Sequence, residues 1–297
     1  VGQEERQGLS RRFAVVGSPI THSLSPLLHE TAYAALGVTD ASYTRYEVGA
    51  GELEQFLSDG PGAMLDGLSV TMPGKPEAFA VSVQADATSR LLGVSNTLIR
   101  RPEGGFRAEN HDVHGIVAAL RDHGVQRPGS VGILGSGATA QCAVEAASRL
   151  GARSLLLSAR SPEKVSALSA FAERRGLQVE TIDFSRCEEV LAADVAISAL
   201  AAAGARAVAR DWAERGGPAA IAPSRTAPVV LDALYDPWPA PIAAACAEIG
   251  AEVASGLEML VHQADMQLRS MLGIDAAPTR LMLEAARRSL DRQDAQA

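Results

Sequence analysis

The chain has 297 residues, and its 27 Lys plus Arg against 35 Asp plus Glu leave a net charge of −8. Apolar residues at 47% and charged residues at 21% match an ordinary globular protein of one large or two medium domains. The acidic balance argues against broad nucleic-acid binding, no apolar stretch approaches the ~18–20 residues that span a bilayer, and Cys142, Cys187 and Cys246 are too scattered for a disulfide framework or a zinc cluster.

Val1–Arg12 is polar and has no apolar signal-peptide region, so a cytoplasmic protein with buried, reduced thiols is expected. Val1–Ser10 and Asp291–Ala297 read as frayed tails. Between them, short β-rich runs alternate with longer helical patterns, as in parallel α/β units. Phe13–Val16 is a predicted strand, followed by a Gly-Ser-Pro turn and a helix from about Ser25 to Leu36. Tyr43–Val48, Gly67–Thr71 and Asn96–Arg100 are further strands, and Gly104-Gly105 turns a hairpin into Phe106–Glu109. The spacing of Val113, Ile116, Val117 and Leu120 predicts a helix to Asp122, ended by Gly124. A second series follows: strand Val131–Leu134, helix Ala138–Leu150, strand Ser154–Leu157, helix Pro162–Arg175, strands Val179–Ile182, Val195–Ser198 and Val229–Leu231, helix Ile242–Ile249 and strand Ala251–Ala254. Beyond Gly256 the pattern is helical through Leu290, interrupted near Gly273–Pro278. Two α/β domains joined near residues 112–130 are expected.

Gly135-Ser136-Gly137-Ala138-Thr139-Ala140 follows a buried strand and opens a helix, the context in which a G-x-G-x-x-G/A pattern binds a pyrophosphate. Gly135 suits the tight turn, Gly137 admits the phosphates, and Ala140 allows close helix–strand packing. The bland alternative is a structural Gly turn. An NAD site usually carries an acid about 20 residues on, but here Ser158-Ala159-Arg160-Ser161 follows the second strand. Arg160 and Lys164 suit a 2′-phosphate instead, which favours NADP; a solvated surface arginine is the other reading.

In the first half, His22-Ser23-Leu24-Ser25-Pro26 puts two hydroxyls after a strand end. Ser25 also reads as a helix N-cap with Pro26 in the first turn. Val70-Thr71-Met72-Pro73-Gly74-Lys75 sets a hydroxyl and a lysine past a buried strand, where a lone lysine is ordinarily solvated. Ser95-Asn96-Thr97 and Glu109-Asn110-His111-Asp112 add polar side chains at element ends. His111 and His114 lack the third element of a metal site and read as ordinary histidines, and the other four histidines form no metal spacing. Tyr235 and Gln263 suit a polyhydroxylated ligand, or else a packed turn and an amphipathic helix.

In this order, Ser-x-Ser-Pro, Val-Thr-x-Pro-x-Lys, Asn-Thr, Asn-x-Asp, Gly-x-Gly and Met-Leu-x-x-Gln, the segments resemble the shikimate dehydrogenase family from about Phe13 to Leu290. The resemblance implies an α/β enzyme that reduces 3-dehydroshikimate to shikimate with NADPH, in aromatic amino-acid (chorismate) biosynthesis. It implies a substrate domain over residues 12–112, with residues 257–290 packing back on it, and a Rossmann-type, doubly wound NADP domain over residues 113–256. By matching positions, Ser23, Ser25, Thr71, Asn96, Asp112, Tyr235 and Gln263 would bind substrate, and Lys75 and Asp112 would be catalytic. Gly135, Ser136, Gly137, Ala138, Thr139, Arg160, Ser161, Lys164, Ala233 and Gly256 would hold the cofactor. The implied partners are the small-molecule substrate and at most a second copy (monomer or homodimer), with no metal, membrane or nucleic acid.

Four departures stand out. Asn110-His111-Asp112 replaces the family's usual Asn-Thr-Asp, and Ala159-Arg160-Ser161 replaces Asn-Arg-Thr. Gly-Ser-Gly-Ala-Thr replaces Gly-Ala-Gly-Gly-Ala, and Ser198-Ala199-Leu200 replaces Asn-Ala-Thr. They leave open a paralogue acting on quinate or an amino analogue, with NAD as a possible cofactor. Ser25, where quinate-using members often carry Thr, leans towards shikimate. A non-catalytic dinucleotide-binding sensor is the rival from another class, disfavoured because Lys75 and Asp112 are both present.

Overall fold

In the computed structural model, which describes residues 10–217 and 228–294, the chain divides into two compact units. One comprises Val1–His111 with Gln263–Ala297, the other Asp112–His262. The first begins with β1 (Arg11–Gly17), α1 (Ser25–Leu36), β2 (Ala41–Glu47), α2 (Leu53–Ser58), a 3-10 turn at Pro61–Met64 and β3 (Gly67–Val70). It continues through α3 (Lys75–Ala80), β4 (Gln84–Ala85), α4 (Ala87–Leu92), β5 (Thr97–Arg100) and β6 (Phe106–Glu109). The six strands form one mixed sheet in the order β2-β1-β3-β5-β6-β4. Central β1 is buried on both faces from Phe13 to Gly17, as the apolar run Phe-Ala-Val-Val requires of a strand flanked in parallel on either side. Val16, Leu53, Leu68, Val70, Leu98 and Ala108 form a core on this sheet.

The second unit holds α5 (Asp112–Asp122), β7 (Ser130–Leu134), α6 (Ala138–Arg149), β8 (Ser154–Ser158), α7 (Pro162–Arg174) and β9 (Gln178–Thr181). A 3-10 segment at Phe184–Ala192 leads to β10 (Val195–Ser198), α8 (Ala202–Glu214), β11 (Val229–Asp232), α9 (Pro241–Ala247) and β12 (Glu252–Ser255). All six strands are parallel, in the order β12-β11-β10-β7-β8-β9. This is the doubly wound arrangement: the winding reverses between β7 and β10, where such sheets collect ligands at their carboxyl ends. The fully buried indole of Trp212 belongs to a core that includes Leu134, Val190, Leu191, Val230 and Ile242. Helix α10 (Gly256–Leu272) starts in this unit and ends in the first, and α11 (Thr279–Asp294) packs on α1.

The structure corrects several expectations. Asp291 through Asp294 continue α11 rather than fray, because Met282, Ala286 and Leu290 sustain its buried stripe. The expected N-terminal tail, apart from Ser10, lies outside the described residues. Ser25 does not cap α1: Leu24 is the N-cap residue, and Ser23 Oγ accepts the Ser25 N–H at 3.3 Å. Periodicity does not predict helices α2, α3, α4 and α8 or the two 3-10 segments.

Candidate active site

In the first unit, Thr71 and Asn96 stand at the ends of β3 and β5, Ser23 and Ser25 lie where the chain enters α1, and Gln263 lies on α10. Ser23 is half-buried and Ser25 is buried at the start of α1. Thr71 follows β3, and its N–H donates to the Val16 carbonyl at 2.9 Å. The Thr71 carbonyl then accepts the Gly74 N–H at 2.9 Å, closing the turn that delivers Lys75 as the first residue of α3. The Lys75 carbonyl accepts the Ser95 N–H at 3.0 Å, which ties this turn to the residue before Asn96.

Asn96 is almost fully buried, at 2% exposure. Its Oδ1 accepts the His111 main-chain N–H at 3.0 Å and the Thr97 hydroxyl at 2.9 Å. Its Nδ2 donates to Gln263 Oε1 at 2.9 Å, so two predicted substrate residues 167 positions apart in the chain meet side chain to side chain. Because Gln263 Oε1 is engaged, its amide nitrogen is the group left to donate, suited to hydroxyl or carboxylate oxygens.

His111 lies just before α5 and is buried, whereas His114 is exposed. Among the described residues, no group of three His, Cys, Asp or Glu side chains is arranged to hold a metal. The His111 ring instead meets Glu109, Nε2 to Oε2, at 2.8 Å, and Ser270 donates to the same carboxylate oxygen at 2.6 Å. Burial alone would raise the Glu109 pKa, but these hydrogen bonds and the paired Arg107 hold it below the usual carboxylate value. His29 is fully buried and stacked on Tyr43 at 3.9 Å. Burial pushes its pKa down to about 3, only partly offset by the Gln267 carboxamide.

In the second unit, Asp112 opens α5 and is buried, with the Cys142 thiol of α6 at 3.9 Å from Oδ2. Gly135 leaves β7 with φ +118°, and a Cβ there would lie 2.8 Å from the Ala199 carbonyl oxygen past β10. Only glycine meets both demands, at the point where the winding of the sheet reverses. Ser136 is half-buried, and Gly137 is the exposed N-cap of α6, where an added Cβ would meet nothing within 4 Å. Ala138 and Thr139 form the first turn behind it. Open space against the N-terminus of this 12-residue helix suits a pyrophosphate, since its unpaired N–H groups and dipole both favour an anion. After β8, Arg160 and Lys164 are exposed, while Ser161 caps α7 by accepting the Lys164 N–H at 3.4 Å.

Ala233 and Gly256 are brought together: a Cβ on Gly256 would lie 2.6 Å from the Ala233 carbonyl oxygen and 2.5 Å from that of Leu234. The neighbouring Asp232 is buried, which raises its pKa, and it fixes this turn by accepting the Leu234 and Ala243 N–H groups at 3.3 Å each. Tyr235 is half-buried in the same loop. Sequence reasoning missed Asp232, whose partners lie in its own turn and the helix after it, and Ser69 and Gln267, buried polar residues that meet across 198 positions of the chain. Lys75 and Asp112 belong to different units.

Residues 15–98 match the family described as the shikimate dehydrogenase substrate binding domain. Over the full length, the chain is 31% identical to a curated shikimate dehydrogenase (NADP(+)) of Synechococcus sp., covering 95% of each chain. Among solved structures, it is similar to the shikimate dehydrogenase of Mycobacterium tuberculosis, with 38% identity and a TM-score of 0.79 over 93% of this chain and 98% of that one. The shikimate 5-dehydrogenase of Thermus thermophilus, solved in complex with NADP(H) and shikimate, matches with 27% identity and a TM-score of 0.79 over 94% of this chain and 100% of that one. With this identity sustained from end to end over two α/β units, the chain belongs to the shikimate dehydrogenase family.

Proposed function

We infer that this chain is an NADP-dependent shikimate dehydrogenase that interconverts 3-dehydroshikimate and shikimate, a step of aromatic amino-acid biosynthesis. The observation that carries the reading is a chain of this family in which the Gly-rich turn opens onto an unobstructed helix N-terminus and the second strand leads to Arg160 rather than to a carboxylate.

In this reading the first unit binds substrate through Ser23, Ser25, Thr71, Asn96 and Gln263, and Asp112 and Tyr235 of the second unit complete the set. Hydroxyls and amides of this kind fix a polyhydroxylated ring so that one face meets the hydride. Gly135 through Thr139 receive the pyrophosphate, Arg160, Ser161 and Lys164 hold the 2′-phosphate, and Ala233 with Gly256 flank the nicotinamide. When bound, NADPH supplies the hydride. As the ketone is reduced, negative charge builds on its oxygen, and the Lys75 ammonium stabilises that charge and delivers the proton. In the reverse direction Lys75 accepts the proton from the ring hydroxyl. Asp112 is the carboxylate partner that orients Lys75. Ser161 Oγ caps α7 by accepting the Lys164 N–H, which leaves its hydroxyl proton to donate to the phosphate.

Steady-state oxidation of shikimate and quinate, each with NADP and with NAD, tests the reading. The expected result is the highest kcat/KM for shikimate with NADP. A preference for quinate or NAD would overturn the specificity, and no turnover in any combination would leave only a dinucleotide-binding sensor.

A further inference from the structure

Asn96 and Gln263 owe their orientation to a buried polar chain that none of the predicted site residues supplies. Gln267 lies one helical turn beyond Gln263 on α10 and is 3% exposed. Its Nε2 donates to the Asn96 main-chain carbonyl at 3.3 Å and to Thr97 Oγ1 at 3.1 Å. Its Oε1 accepts the Ser69 hydroxyl at 2.9 Å, and Ser69 in turn accepts the Tyr43 hydroxyl at 2.6 Å.

The direction of each bond is fixed by main-chain atoms that have one role only. The Asn96 carbonyl can only accept, so the end of Gln267 facing it must be the nitrogen, and Ser69 must donate to the oxygen. Thr97 Oγ1 accepts from Gln267 and therefore spends its own proton on Asn96 Oδ1. The His111 main-chain N–H can only donate, and it requires Asn96 to present its oxygen on the same side. Two donors thus converge on Asn96 Oδ1, its nitrogen must face Gln263, and Gln263 must turn its oxygen inward. Neither carboxamide is free to flip.

We propose that Gln267 is a positioning residue for substrate recognition: through Thr97 and Asn96 it locks the polarity of the Asn96–Gln263 pair, so that Gln263 presents an N–H donor and the site selects ligand oxygens that accept. The inference rests on the assignment of Gln263 to substrate binding. Without Gln267, Thr97 loses the bond that commits its proton to Asn96, the His111 main-chain N–H is left as the one donor that orients Asn96 Oδ1, and the more weakly held pair lets Gln263 spend part of its time turning an acceptor to the ligand.

The test is a double-mutant cycle read as KM for shikimate at saturating NADP, with kcat, the KM for NADP and the thermal midpoint recorded alongside. Gln267→Leu should raise the shikimate KM about tenfold, the scale of one misdirected buried hydrogen bond, with the KM for NADP unchanged. In a Gln263→Ala background, the same replacement should change it less than about twofold, because coupled residues are non-additive. Gln267→Glu keeps the shape and supplies a fold-competent second variant. It lacks the donor when ionised and regains one when protonated, so, with the facing His29 replaced by Phe in both proteins, its shikimate KM should fall back towards that of the parent as pH is lowered. Equal KM increases from Gln267→Leu in both backgrounds, or a lowered midpoint with the shikimate KM unchanged, would overturn the lock. If Gln263→Ala alone leaves the shikimate KM unchanged, the substrate assignment of Gln263 fails, and the lock as a recognition device fails with it.

Discussion

Gly135 and Gly137 stand two residues apart in one turn, yet the structure gives them separable roles. Gly135→Ala forces an L-residue to φ +118° and drives its Cβ to 2.8 Å from the Ala199 carbonyl oxygen. The backbone strain costs about 1–3 kcal/mol, and a collision with main chain that cannot rotate away costs about as much again. A loss of this size should lower the thermal midpoint by roughly 5–20 °C in a unit of this length. Gly137→Ala meets nothing within 4 Å, and φ −87° is open to alanine. It gains about 0.4–1 kcal/mol by restricting the unfolded chain and loses a similar amount as a poorer N-cap, so the fold should hardly register it. The new methyl, however, occupies the space assigned to the pyrophosphate. Losing charge-assisted hydrogen bonds worth about 1.5–3 kcal/mol weakens NADP binding roughly ten- to hundredfold. Thermal melts and NADP titration of both variants separate the two effects. The reasoning fails if Gly137→Ala melts as early as Gly135→Ala, or if it binds NADP like the parent chain.

Three further outcomes are expected. Lys75→Ala should lower kcat by about 10²–10⁴-fold, the range for a lost general acid, with NADP affinity and thermal midpoint retained; turnover near that of the parent chain would remove Lys75 from the chemistry. Arg160→Ala should raise the KM for NADPH about ten- to hundredfold and barely alter that for NADH, and equal effects on both would remove the 2′-phosphate clamp. Folded His29 stays neutral down to about 3, whereas the unfolded chain protonates it below about 6.5. Its contribution to stability is therefore complete above that value and is lost as pH falls, by up to about 1.4 kcal/mol per pH unit. Urea unfolding between pH 6.5 and 5 should show a loss about 2 kcal/mol smaller in His29→Phe, and parallel curves for the two proteins would refute the assignment.

The parts of the fold legible in the sequence were those whose apolar period exceeds the noise of a few residues. The strand Val195–Ser198 and the helix from Ser25 to Leu36 appear where their side-chain patterns place them. Helices α2, α3 and α4 have six residues each, too few for a 3.6-residue period to show. Helix α8 was hidden by its alanines: its buried stripe is Ala205, Val208 and Trp212 in a run where Ala occupies both faces. The sequence is ambiguous at the start of α1 because Ser23 and Ser25 both fit a cap, and only the observed bond shows that the Ser23 hydroxyl reaches the helix N-terminus. Asn96 and Gln263 were readable as polar residues of the right type, but their contact spans most of the chain. Gln267 gave no signal at all, because a carboxamide within an amphipathic helix looks solvated until Ser69, 198 residues away, is placed against it.

The chain passes between its two units at His111–Asp112 and at His262–Gln263. Within the first unit, one side chain holds the near end of both passages: Asn96 Oδ1 accepts the His111 N–H, and Asn96 Nδ2 donates to Gln263. The two halves of that carboxamide can be tested apart. Asn96→Asp retains an acceptor for His111 and Thr97 but has no donor for Gln263, whereas Asn96→Leu removes both. Both should raise the shikimate KM, by about 5–100-fold given the usual cost of an unpaired buried polar group. Only Asn96→Leu should release the His111 amide, whose hydrogen exchange measures local opening. In Asn96→Asp that amide should stay protected, because its bond to a charged acceptor is at least as strong as the one it replaces. Equal exchange at His111 in the two variants would mean that the passage is held by packing around His111 and Glu109 rather than by Asn96.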